Sequence, residues 1–245
     1  MQREDRGILM LGILLTVLAC LIFGGCTPAH MALESGFKQK ADHMPVKGRQ
    51  GFNFQESFSF GPYKAANVQR GWTHSTAWGF LGYEDFSAEQ DYQFELINQQ
   101  GKTWQVNCAL GVRQKLIQTL LGDNKGSFTW EISRHGNMAC TILQGDKTNS
   151  WRLVMARSTG ETALNGLLFS NVKTIQVKGS NRLAGSSITL SDPTGYFFKQ
   201  AGGIVGAVEV INQGAVWLLP NTENSRDPMA AASAALMLYQ DIGRD

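Results

Sequence analysis

From residue 52 to residue 155 the chain repeats one pattern, with large apolar residues at alternate positions and polar residues between them. Phe52, Phe54, Phe58 and Phe60 share one phase, as do Tyr92, Phe94 and Leu96, then Trp104, Val106, Cys108 and Leu110. The same rhythm returns in Phe128, Trp130 and Ile132, in Met138, Cys140 and Ile142, and in Trp151, Leu153 and Met155. Successive side chains of a strand point to opposite faces, so this period predicts strands with one buried face. Turn-forming residues separate the runs at 98–101, 123–126, 135–137, 158–161, 179–181, 192–195 and 212–214. One such break about every 10 to 20 residues suits an antiparallel meander, closed as a barrel or folded as a sandwich. The 27 glycines fit so many turns.

Phe94-Glu95-Leu96-Ile97-Asn98-Gln99 before Trp104 is echoed by Val208-Glu209-Val210-Ile211-Asn212-Gln213 before Trp217. The echo has two readings, a duplicated half or the common grammar of tight hairpins.

The C-terminal end changes period. Asp227 is placed to cap a helix, Pro228 suits its first position, and Gly243 suits its end. Residues 229–238 are apolar on every face except at Ser233. A helix that is greasy all round has to be enclosed, and this one is too short to cross a bilayer, so the protein itself is expected to surround it. The expected fold is therefore mainly β, an antiparallel barrel-like or sandwich domain with a hydrophobic C-terminal helix, spanning residues 51–245.

The order of these last elements carries a resemblance. Gly195-Tyr196-Phe197-Phe198, Gly206-Ala207-Val208-Glu209-Val210 and Val216-Trp217-Leu218, followed by the terminal helix, resemble the tail of the tubby C-terminal-like superfamily, which includes LURP-one-related proteins and phospholipid scramblases. The resemblance implies a closed antiparallel barrel wrapped around the helix. The chain departs from it in an Ala-rich helix and in lacking a dense Lys/Arg cluster of the kind tubby uses for phosphoinositides.

At the N-terminus, residues 8–23 carry no charge but fall short of the roughly 20 apolar residues of a membrane span. They end in Phe23-Gly24-Gly25-Cys26, which resembles the signal of a bacterial lipoprotein. Residues 1–25 are then a signal peptide and Cys26 the lipidated first residue of the mature chain. Glu4 and Asp5 ahead of the apolar core, and Phe at the first position of the motif, depart from that pattern. Thr27 after the cysteine implies sorting to an outer membrane, facing the periplasm. Residues 26–50 are polar and unpatterned and read as a tether with a reach of roughly 25 to 30 Å.

The net charge of +2 is too faint for a nucleic-acid partner, which wants a concentrated basic face. Cys108 and Cys140 sit on the apolar phase of two strands, and an even pair in an exported chain points to a disulfide, with two buried free thiols as the alternative. There is no G-x-S-x-G, no H-E-x-x-H, no Walker loop and no dinucleotide fingerprint, and no histidine has a spaced metal partner. No catalytic residue, metal site or cofactor is assigned. The least bland stretch is 72–86, where Trp78, Phe80, Tyr83 and Phe86 stand among glycines; they are core residues or a partner-binding surface.

The expectation is a membrane-anchored envelope lipoprotein, non-enzymatic, that binds another envelope component, protein or lipid. The alternatives are a periplasm-facing hydrolase with a site around His74 and a carrier of an apolar small molecule inside the barrel.

Overall fold

The computed structural model describes residues 28–49, 57–71, 90–111, 137–146, 148–157, 161–222 and 224–242. Twelve antiparallel strands close into a barrel. They are β1 (Asp42–Lys47), β2 (Phe58–Phe60), β3 (Tyr63–Gly71), β4 (Gln90–Ile97), β5 (Thr103–Leu110), β6 (Met138–Gln144), β7 (Ser150–Arg157), β8 (Leu164–Phe169), β9 (Thr174–Ser180), β10 (Gly195–Gln200), β11 (Gly203–Glu209) and β12 (Ala215–Leu218). Each strand pairs with its neighbours in sequence, and β1 closes the ring by pairing with β12. Among the described residues, full closure leaves no strand edge exposed to recruit another chain.

A short helix, α1 (Ser35–Lys38), precedes β1, and a long one, α2 (Arg226–Ile242), follows β12. At 17 residues α2 is about 25 Å long. It packs against β5 and β6 and also against β11 and β12, which lie on opposite sides of the ring. The helix therefore runs through the lumen. Met229, Ala230, Ala231, Ala232, Ala234, Ala235, Leu236 and Met237 are all fully buried. They share one core with the large inward side chains of the wall, among them Phe60, Trp104, Tyr196 and Phe198. The mostly small residues of the helix leave room for bulky ones on the wall, and both are buried together in the lumen. The two-residue phase read from the sequence is this lumen-facing set: Tyr92, Phe94, Leu96, Trp104, Val106, Cys108, Met138, Cys140, Ile142, Trp151, Leu153 and Met155 all belong to it.

Several expectations need correction. The segment 26–50 is not a free tether, because residues 28–49 form an arm along the outer wall followed by β1 itself, whose Met44 and Val46 point into the core. Only two apolar residues mark this strand in the sequence, interleaved with His43, Pro45 and Lys47. Gly179 and Gly195, read as turn residues, lie in strands. A Cβ on Gly179 would collide with that of Ala163, and one on Gly195 with the Val208 carbonyl oxygen, so close packing and not a turn requires glycine there. Helix α2 starts at Arg226, so Asp227 lies in its first turn and is not the residue before it. The echoed hairpins, β4–β5 and β11–β12, are seven strands apart and so turn at opposite ends of the barrel. Residues 1–27, with Cys26, and the Phe52, Phe54, Phe128, Trp130, Ile132 and Gly243 positions lie outside the described residues.

Candidate functional site

The up-and-down topology gives the barrel two ends with different chemistry. At one end lie the β2–β3, β4–β5 and β12–α2 connections, and there the first turn of α2 places Asp227. Its carboxylate accepts hydrogen bonds from the Tyr63 hydroxyl (2.9 Å), the Asn98 side-chain amide (3.1 Å) and the Trp104 indole nitrogen (3.2 Å). A negative charge is favourable at a helix N-terminus, and three donors from the wall fix the helix to β3, β5 and the β4–β5 turn. Asn98 also braces its own turn, accepting from the backbone of Gln100 and Lys102. Next to Asp227, Arg226 donates to Asp42 at 2.8 Å and to the Leu219 carbonyl oxygen at 3.0 Å. Beside this clasp an open cleft of about 680 Å³ is lined by Asp42, Met44, Ser59, Tyr63, Lys64 and Arg226, among others.

The other end holds the C-terminus of α2. The buried Arg49 guanidinium donates to the carbonyl oxygens of Val210 (3.0 Å) and Met237 (3.3 Å), placing a cation where the helix dipole is negative. The Tyr92 hydroxyl donates to the Ala235 carbonyl oxygen at 2.7 Å. On the outer face, Glu209 is only 2% exposed although it points away from the lumen. The arm covers it: the Met31 N–H donates to its carboxylate at 2.7 Å, and the His30 imidazole lies 3.1 Å away. Further along the arm, Phe37 of α1 packs on Ala207, Ala215 and Trp217. The His43 ring stacks on Trp217 with centroids 4.9 Å apart. Burial holds the His43 imidazole below the usual histidine range, with Lys38 and His30 adding to the effect and Glu209 opposing it.

Four tyrosines resist ionisation. Burial is the first cause in each: Tyr63 is pushed far up by burial and then by the Asp227 charge, Tyr92 and Tyr196 by burial and neighbouring tyrosines, and Tyr239 by burial partly offset by Arg157. The sign of the pH effect follows from the phenol being neutral when protonated. Up to the ordinary tyrosine value of about 10 these groups leave stability unchanged; above it the unfolded chain releases protons that the folded one keeps, so stability falls as pH rises. An alkaline titration followed by phenolate absorbance is expected to show most of the signal appearing in one cooperative step that coincides with loss of the far-UV circular dichroism. Gradual independent titration near pH 10 with the fold intact is the contrary result.

The carboxylates of Asp227 and Glu209 are both committed to holding chain segments together. Tyr63 donates a hydrogen bond to Asp227 and keeps its proton, which unfits it as a base. Among the described residues no three His, Cys, Asp or Glu side chains gather as metal ligands, and no helix is long and apolar enough to cross a membrane. Cys108 and Cys140, directly opposite in the β5–β6 register, are joined as a disulfide facing the lumen. The sequence-predicted surface of Trp78, Phe80, Tyr83 and Phe86 lies outside the described residues, as does His74. The Asp227 clasp has no signal in the sequence beyond the helix start, and Glu209 has none beyond its place between Val208 and Val210.

The molecule is thus a closed up-and-down β-barrel plugged by its own C-terminal helix. No family model, curated protein or solved structure matches it.

Proposed function

We propose that this chain is a membrane-anchored envelope lipoprotein whose barrel is a non-enzymatic binding module for another envelope component. The observation that carries this reading is the filled lumen: α2 occupies the space where a carrier would hold its cargo. Binding therefore falls to the outer surface and the barrel ends. The closed sheet around a buried terminal helix also supports kinship with the tubby C-terminal-like superfamily. Two surfaces are available to a partner. One is the cleft beside Asp42, Tyr63 and Arg226. The other is the sequence-proposed aromatic set Trp78, Phe80, Tyr83 and Phe86, which lies between β3 and β4 in the sequence and outside the described residues. Rigid rings give large contact area at small entropic cost.

The test is chemical cross-linking of the acylated protein in its own membranes, followed by isolation. The wild type is expected to retain a specific envelope component, and alanine at Trp78, Phe80, Tyr83 and Phe86 together to release it. Undiminished retention removes that surface from the account. Turnover of a generic ester, peptide or glycan substrate that disappears in His74→Ala overturns the non-enzymatic reading altogether.

A further inference from the structure

We propose that the Glu209 end of the barrel stands on the lipid bilayer, with the β9–β10 connection around Ile188 seated among the headgroups. This rests on the reading of Cys26 as the lipidated residue. The arm is fastened to that end almost from its first described residue. The Asn212 side-chain amide donates to the Ala29 carbonyl oxygen at 2.6 Å, and the Ala184 N–H donates to that of His30 at 2.8 Å. Met31 is then held by Glu209, and the Ala32 N–H donates to the Arg182 carbonyl oxygen at 2.9 Å.

Three residue steps separate Cys26 from Ala29. Fully extended, they span at most about 11 Å. Acyl chains on Cys26 hold it at the membrane surface, and interfacial contacts reach about 5–10 Å into the headgroup and acyl boundary. The leash is too short to lift this end clear of the lipid. The loop lying against the arm carries Ile188, 66% exposed. A lone exposed apolar residue needs no explanation by itself. Here the arm that would carry the covalent anchor is bonded to the same connection, at Arg182 and Ala184, and burying the side chain in lipid recovers free energy that water withholds. Val172 is the internal comparison: it is 93% exposed but sits in the β8–β9 turn, at the far end of the barrel. Charge plays a minor part, since exposed Arg182 is balanced in the same connection by exposed Asp192.

The cleft lined by Asp42, Tyr63 and Arg226 then points away from the membrane, into the aqueous compartment.

The test uses full-length acylated protein with Ile188→Cys or Val172→Cys, each labelled with an environment-sensitive fluorophore. The native cysteines of the mature chain are acylated or joined in the disulfide, so the new thiol takes the label. In vesicles of phosphatidylethanolamine and phosphatidylglycerol containing spin-labelled lipid, the probe at 188 is expected to be quenched several-fold more than the probe at 172, with little dependence on salt. Equal quenching, or stronger quenching at 172, overturns the proposal. Mass spectrometry of the N-terminal peptide separates the two ideas: an unacylated Cys26 removes the anchor and this inference with it, whereas an acylated Cys26 with an unquenched probe at 188 removes the inference alone.

Discussion

Replacing Ala234 with Asp is expected to abolish folding, while Ser at the same position is expected to be tolerated. Ala234 is fully buried in the middle of α2, inside a ring of twelve strands. A carboxylate there has neither water nor a partner, and the chain must bury the charge unpaired, bury a protonated acid among apolar groups, or expel the helix. The first two each cost several kcal/mol, against a total stability of about 5–15 kcal/mol for an ordinary domain. The third empties the core. The expected loss is at least about 4 kcal/mol, which appears as insoluble protein or as loss of the urea transition followed by circular dichroism. Serine differs because a short hydroxyl can satisfy itself on the helix, as Ser233 does by donating to the Met229 carbonyl oxygen at 2.8 Å. Ala234→Ser should lose about 1 kcal/mol or less. A soluble, cooperatively folding Ala234→Asp protein would place the helix outside the barrel.

Removing the disulfide is expected to have the second-largest effect. Cys108 and Cys140 face each other across β5 and β6 at a sequence separation of 32. In the chain-entropy model, holding that loop closed in the unfolded state contributes about 3 to 4 kcal/mol. For a domain of this size the double change Cys108→Ala, Cys140→Ala should lower Tm by roughly 6–16 °C. Both sulfurs lie in the core, so reductant should act slowly on the folded protein and quickly once urea opens it. An unchanged Tm in the double variant would mean that residual structure in the unfolded chain already holds β5 near β6.

The parts of the fold legible in the sequence are those where the lumen alone decides which residues are apolar. Strands β4 to β7 present single-phase runs because the helix-filled interior demands large apolar side chains at alternate positions. Strand β8 shows no such rhythm: Leu164 and Leu168 face the lumen, while Leu167 and Phe169 on the opposite phase are buried as well. Strand β1 is obscured for the opposite reason, having only Met44 and Val46 to bury. The number of strands is not a local property. An α-helix is about 10–12 Å across with its side chains, whereas eight strands enclose an interior that wall side chains already fill, so a helix-plugged barrel needs more strands than alternation alone reveals.

The sites were less legible than the strands. Asp227 was recognisable as a helix-start residue, but its three donors come from β3, β5 and a turn, brought together only by closure of the sheet. Glu209 acquires its environment from an arm that composition marks as linker. The disulfide was readable because both cysteines share the lumen phase of strands that turned out to be neighbours. The arm also changes what the proposed anchor would mean physically, since a long tether would leave the barrel free to tumble, whereas the bonds at Ala29, His30 and Met31 would turn the Glu209 end toward the lipid.

Because the proposed anchoring and orientation both rest on the thiol at position 26, the most direct measurement is metabolic labelling with palmitate, with cell fractionation, of the wild-type chain and of Cys26→Ser. The account predicts a labelled wild-type protein in the membrane fraction and an unlabelled variant that loses its membrane attachment. Equal label in both, with full-length protein recovered from the cytosol, would contradict it.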